Sequence, residues 1–136
     1  MKKQFTLALC ILLFFCNIVQ SQVQPFLTRQ HLDTKIIATA MPYRLCKPLG
    51  YVQSGTYSLV LFLHGAGERG TDNNSQLTAN RGATIWAEAA NQQKYPCFVV
   101  APQCATNKQW VNTPWGNGSY NQNAIPISDQ LALALS

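Results

Sequence analysis

The chain has 136 residues, 47% of them hydrophobic and only 11% charged, with a formal net charge of +5. That is one domain's worth at most, and apolar enough to exclude wholesale disorder. Asn and Gln stand where charged residues usually would, and no Lys/Arg cluster follows residue 22, which argues against a nucleic-acid footprint.

The N-terminus reads Met1-Lys2-Lys3 and then an apolar run from Phe5 to Val19. A short basic head, an apolar stretch and small residues at the exit form a signal-peptide pattern. Val19 and Ser21 occupy the −3 and −1 positions, so cleavage is expected between Ser21 and Gln22. The run falls short of the about 20 apolar residues a span needs. Leu9 and Phe15 precede Cys10 and Cys16, where a lipoprotein cut would want a small residue. Residues 1–21 are therefore expected to be removed, leaving a secreted or periplasmic chain with no membrane attachment; an uncleaved anchor is the alternative. Loss of Lys2 and Lys3 lowers the net charge from +5 to +3.

Residues 22–40 read as a polar lead-in and residues 41–136 as the folded domain. Met41 to Pro48 alternates well enough for a partly exposed strand, with a turn around Gly50 to Gly55. Tyr57 to Leu63 (YSLVLFL) is almost continuously apolar and reads as a strand buried on both faces. Gly65 to Gln76 is expected to be a loop. Ala83 to Gln92 is expected to be one helix, with Ile85, Trp86, Ala89 and Ala90 toward the core. Cys97 to Ala101 reads as a second buried strand that Pro102 ends. Residues 103–124 form a loop rich in Asn, Gly, Trp and Tyr, and Ser128 caps a last helix.

Cys46, Cys97 and Cys104 are an odd number for an exported chain. An extended Cys97–Cys104 segment would separate its ends by about 23 Å, at ~3.3 Å per residue, far beyond disulfide reach. Buried, inert thiols are the expectation. With only His31 and His64 available and no recurring ligand spacing, a metal site is not expected.

Strand, helix and strand at this spacing make a βαβ unit and imply a parallel sheet with covering helices. Such sheets normally have more strands than this chain supplies. The sequence ends inside an amphipathic helix without a stop signal. Truncation is the expectation.

His64-Gly65-Ala66-Gly67-Glu68-Arg69-Gly70 follows the first apolar strand. Gly65, Gly67 and Gly70 have the dinucleotide-fingerprint spacing, with Glu88 about 20 residues on. That fingerprint must open a helix; here Thr71-Asp72-Asn73-Asn74 follows, which is loop chemistry. The string LVLFLHGAGERGTDN, followed by CFVVAPQC and Trp110, instead resembles the exported esterase and "predicted peptidase" branch of the α/β-hydrolases. That branch includes feruloyl esterases, polyhydroxybutyrate depolymerases and prolyl oligopeptidase-like enzymes, and the resemblance covers residues 41–136.

The resemblance implies an α/β fold: the N-terminal half of a mostly parallel α/β-hydrolase sheet with helices on both faces, incomplete at the C-terminus. It implies that the N–H of Ala66, or secondarily of Gly67, helps form an oxyanion hole. His64, Gly65, Glu68, Arg69 and Gly70 would support the loop, with His64 propping it through its ring and not serving in a triad. Gln103, Trp110 and Trp115, at the carboxyl end of the second strand, are weaker candidates for substrate contact; the tryptophans could equally be half-buried loop anchors. No Gly-x-Ser-x-Gly occurs, so the nucleophile, acid and histidine are expected beyond Ser136, and the chain alone is expected to be inactive. In the family's sheet, strand three lies between strand four and the nucleophile strand, so Tyr57–Leu63 would form an open edge.

The expected activity is that of an exported serine hydrolase on small esters or ester-decorated polysaccharide, without cofactor or metal. The alternative is a non-catalytic carbohydrate-binding module, or an inactive remnant, using the Trp110–Tyr120 loop. Substrate identity and oligomeric state are not legible.

Overall fold

Cys97–Pro102 decides how the sheet is covered. Alternate side chains of a strand face opposite ways, and here Cys97, Val99 and Ala101 are all essentially inaccessible while Phe98 and Val100 are half-buried. The computed structural model describes residues 24–114, 116, 121, 123 and 127–136. The expected signal peptide, Trp115 and Tyr120 lie outside the described residues.

Four strands form one sheet: β1 (Phe26–His31), β2 (Met41–Cys46), β3 (Ser58–Leu61) and β4 (Cys97–Pro102), in the order β1-β2-β4-β3. β1 pairs antiparallel with β2, and β2 antiparallel with β4, Cys46 facing Val99. β3 pairs parallel with β4, Val60 facing Val99. Only this pair is the expected βαβ unit. The sheet is therefore mixed, and the expectation of a mostly parallel sheet is corrected. A βαβ unit fixes the direction of its own two strands and says nothing of the strands before it.

The lead-in reading is corrected too, because β1 lies within residues 22–40. Its FLTRQH sequence leaves three of six residues exposed, as an edge strand tolerates, and so gives little apolar signal. β3 occupies only Ser58–Leu61 of the apolar run and lies at the other edge, with Leu59 63% exposed. It is not a strand buried on both faces. Among the described residues, no strand adjoins its far side.

The core lies on the face of Cys46, Val99 and Ala101, where Ala83 and Ala87 pack with Val60, Phe62 and Leu77 around them. The single helix expected over Ala83–Gln92 is two pieces. A 3-10 turn spans Thr84–Ala87, Glu88 is extended (ψ 138°), and a helix runs over Ala89–Lys94. The break turns Ala83 and Ala87 inward and leaves Ile85, Trp86 and Ala90 exposed. Trp86 is thus not a core residue. Glu88 instead pairs with Arg81.

Numbered in chain order, α1 is Ser75–Thr78, α2 is Ala89–Lys94 and α3 is Asp129–Leu135. α3 lies on the opposite face, where Leu133 shares a cavity wall with Met41, Tyr43 and Val100. Helices do cover both faces. Ser128 caps α3 as expected, its Oγ accepting from Leu131 N–H at 3.1 Å. Among the described residues, no helix is long and apolar enough to cross a membrane.

Candidate functional site

Beyond β3 the chain turns at His64, which is 4% exposed. Its Nε2 accepts from Cys104 N–H at 2.9 Å. A backbone N–H can only donate, so Nε2 is unprotonated and the ring's hydrogen sits on Nδ1, which donates to Gly65 O at 2.6 Å. The imidazole is neutral in this arrangement, with both nitrogens used inside the fold. It ties the start of the loop to the exit of β4 and is unavailable as a general base.

Trp110 closes over this ring. The two ring centroids are 5.2 Å apart at 66°, and the indole N–H donates to His64 O at 2.9 Å. Trp110 O accepts in turn from Ser128 Oγ at 2.9 Å. Trp110 is therefore anchored in the loop, half-buried, and it also lines the cavity beside Ala66.

Gly65 is extended (φ −77°, ψ 179°) and leads into a 3-10 turn, Ala66–Glu68. At a helical N-terminus the first N–H groups have no intrahelical acceptor. Ala66 N–H and Gly67 N–H accordingly meet none among the described residues, and both residues are exposed. A side chain at Gly67 would meet nothing within 4 Å, so the space over this turn is open. One at Gly65 would lie 3.0 Å from Glu68 Oε2.

Glu68 Oε1 accepts from Asn80 Nδ2 at 3.0 Å, while its buried Oε2 has no hydrogen-bond partner and lies 3.7 Å from His64 Nδ1. Arg69 Nε donates to Ala66 O at 2.8 Å and its Nη1 to Lys108 O at 3.0 Å. Arg69 thus ties the turn, through Ala66 O, to the loop after β4, through Lys108 O. A cavity of about 210 Å³ opens beside Ala66, walled by Gly65, Cys104, Gln109, Trp110 and Val111.

The loop ends in a polar clip. Asp72 accepts from Ser75 Oγ, from the N–H groups of Asn74 and Ser75 (2.8 and 3.0 Å), and from Gln103 Nε2 at 2.8 Å. These donors, the Ser75 hydroxyl first, hold its carboxyl well below the usual carboxylate range. Asn73 takes a left-handed φ of 51°, which Asn tolerates better than most residues. Its side chain donates to Tyr43 O and accepts from Gln76, and its carbonyl accepts from Arg44 Nε. Gln103, expected at the cleft, is 1% exposed and spends its amide inward on this clip. The sequence indicated a turn at Asp72-Asn73-Asn74; it did not indicate that a buried glutamine some 30 residues away completes it.

Among the described residues, Cys46, Cys97 and Cys104 are free and buried. Burial, helped by the nearby Cys97, pushes the Cys46 thiol up to about 11, and burial likewise raises Cys97 and Cys104. None is an activated nucleophile. His31 Nε2 bonds to Ser136 Oγ at 3.0 Å in a separate cavity that shares no residue with the one beside Ala66. No group of three or more metal-ligating side chains occurs among the described residues.

The assembled elements are two N–H donors without an acceptor, on exposed residues of a braced turn whose Ala66 lines a part-apolar cavity. Such donors can stabilise an oxygen that becomes negative. No protein-family model matches the chain, and no curated protein does. A solved structure does: the crystal structure of a thermostable esterase, 39% identical, with a TM-score of 0.69. The match covers 81% of this chain and 28% of the esterase. The chain thus spans somewhat more than a quarter of the length of that esterase.

Proposed function

We propose that the chain is the N-terminal part of an exported serine hydrolase of the α/β-hydrolase type, acting on carboxylic esters such as those that decorate polysaccharides. One observation carries this: Ala66 and Gly67 carry N–H groups without an acceptor on a turn whose Ala66 lines a cavity, in a chain of which 81% matches an esterase. The nucleophilic serine, its histidine and its acid come from polypeptide beyond these residues.

In this reading the serine attacks the ester carbonyl, whose oxygen gains charge and is met by the Ala66 and Gly67 N–H groups. Collapse of the tetrahedral intermediate expels the alcohol, and water then frees the acyl group. His64, Arg69 and the Asp72 clip keep the donors in place, and acyl transfer to serine requires no cofactor. The cavity edged by Trp110 and Val111 receives the part of the substrate next to the reacting carbonyl.

Ala66→Pro tests the role of the donor. Proline fits the first position of a helical turn, and the extended Gly65 before it is the backbone a proline wants. The substitution therefore deletes one N–H and little else. In the complete hydrolase, kcat should fall about 10²–10³-fold with the melting temperature nearly unchanged. An unaltered kcat would move the oxyanion donors elsewhere.

A further inference from the structure

Both ends of the loop that carries Ala66 and Gly67 are gripped by one dipeptide, Gln103-Cys104, directly after β4. Cys104 N–H donates to His64 Nε2 at the loop's start, and Cys104 O accepts from Gly70 N–H at 3.0 Å near its end. Gln103 fills the space between. Its Oε1 accepts from Asn73 N–H at 2.6 Å, and its Nε2 donates to Glu68 O at 3.0 Å and Asp72 Oδ1 at 2.8 Å. The side chain is 1% exposed, and its main-chain N–H is fixed to the sheet by Pro42 O at 2.9 Å.

A carboxamide has two hydrogens to give and an oxygen to receive, and all three partners lie on the segment leaving the Ala66–Glu68 turn. A carboxylate would lose both donated bonds, and a hydrocarbon of equal length would lose all three. Gly70 leaves room for the amide, since a β-carbon there would lie 3.2 Å from Gln103 Nε2.

We propose that Gln103 is the positioning residue of the turn that presents the Ala66 and Gly67 N–H groups, setting their direction by holding Glu68 O and the Asp72-Asn73 peptide against β4. The proposal relies on the ester-hydrolase reading for what the two donors act upon. The mechanical part stands by itself and is measured separately.

Gln92 supplies the control. It is a second glutamine, also 1% exposed, at the opposite end of β4. It accepts from Leu49 N–H and donates to Trp86 O and Cys97 O. Gln103→Met and Gln92→Met each remove a buried amide of the same size from the same strand's surroundings.

Amide exchange and ¹⁵N relaxation on the chain give the test. In the unsubstituted chain, Asn73 N–H should be protected as strongly as the amides of Val99 and Val100. Gln103→Met should speed exchange at Asn73 and Gly70 at least tenfold while Val99 and Val100 keep their rates. The order parameters of Ala66 and Gly67 should drop from the rigid level of about 0.85 to below about 0.6. Gln92→Met should leave Ala66 and Gly67 rigid.

Two results would overturn the proposal: free exchange of Asn73 N–H in the unsubstituted chain, or the same amides loosened by both substitutions. If Gln103→Met does not fold, Gln103→Glu, which keeps the acceptor for Asn73 and loses both donated bonds, is read on the Ala66 and Gly67 order parameters against Gln92→Met. In the complete hydrolase, Gln103→Met should lower kcat and leave KM nearly unchanged, because the donors engage the oxyanion more than the bound ester. Absence of any hydrolase activity alongside a loosened turn would remove the ester-hydrolase reading and leave the positioning role intact.

Discussion

Asp72 shows how a single exposed carboxylate can organise a loop. It is charged where four donors converge, and its pKa is lowered first by the Ser75 hydroxyl, then by the N–H groups of Ser75 and Asn74, then by Gln103. A lowered folded value means that the clip's contribution is complete above the ordinary carboxylate value of 3.8 and is lost as the pH falls through the lowered one. The melting temperature of the unsubstituted chain should therefore exceed that of Asp72→Asn at pH 6, and the gap should narrow steadily below pH of about 4. A gap independent of pH would mean that the hydroxyl and amide bonds of Asp72 do not depend on its charge.

At the scale of elements, what was legible depended on whether a residue's partner lay nearby in sequence. β2 and β4 were readable because alternation and an unbroken apolar run are local signals, and the α3 cap because Ser128 and Leu131 are three residues apart. The turn at Asp72 was readable in the same way. β1 was not, because its exposed Thr28, Arg29 and Gln30 carry no core pattern. The break at Glu88 was hidden by good helix formers on both sides. The buried glutamines were hidden most completely. Gln103 reaches back to Glu68, Asp72 and Asn73, and a sequence offers no local reason to bury an amide.

β3 was readable as apolar from its own residues and as an open edge only through the family resemblance, since an apolar run looks the same with one neighbour or two. Its exposed Leu59, and a far side that no strand adjoins among the described residues, are expected to make it an adhesive surface when residues 22–136 are expressed alone. Leu59→Lys should lower light scattering and sedimentation of aggregates severalfold while changing stability by no more than about 0.5 kcal/mol. Unchanged aggregation would place the sticky surface elsewhere.

At the scale of the whole molecule, the mixed sheet brings the ends of β3 and β4 side by side. Their outgoing loops then lock together through His64, Trp110, Arg69 and Gln103. The result is a braced platform for two N–H donors, which the proposed reading assigns to an ester hydrolase. The most direct test is to read the coding frame through the Ser136 codon and expose the encoded protein to a fluorophosphonate. The account predicts a frame that continues to Gly-x-Ser-x-Gly, with that serine labelled and the 136-residue chain alone unlabelled. A native stop codon directly after Ser136, or a complete product that takes no label, would contradict it.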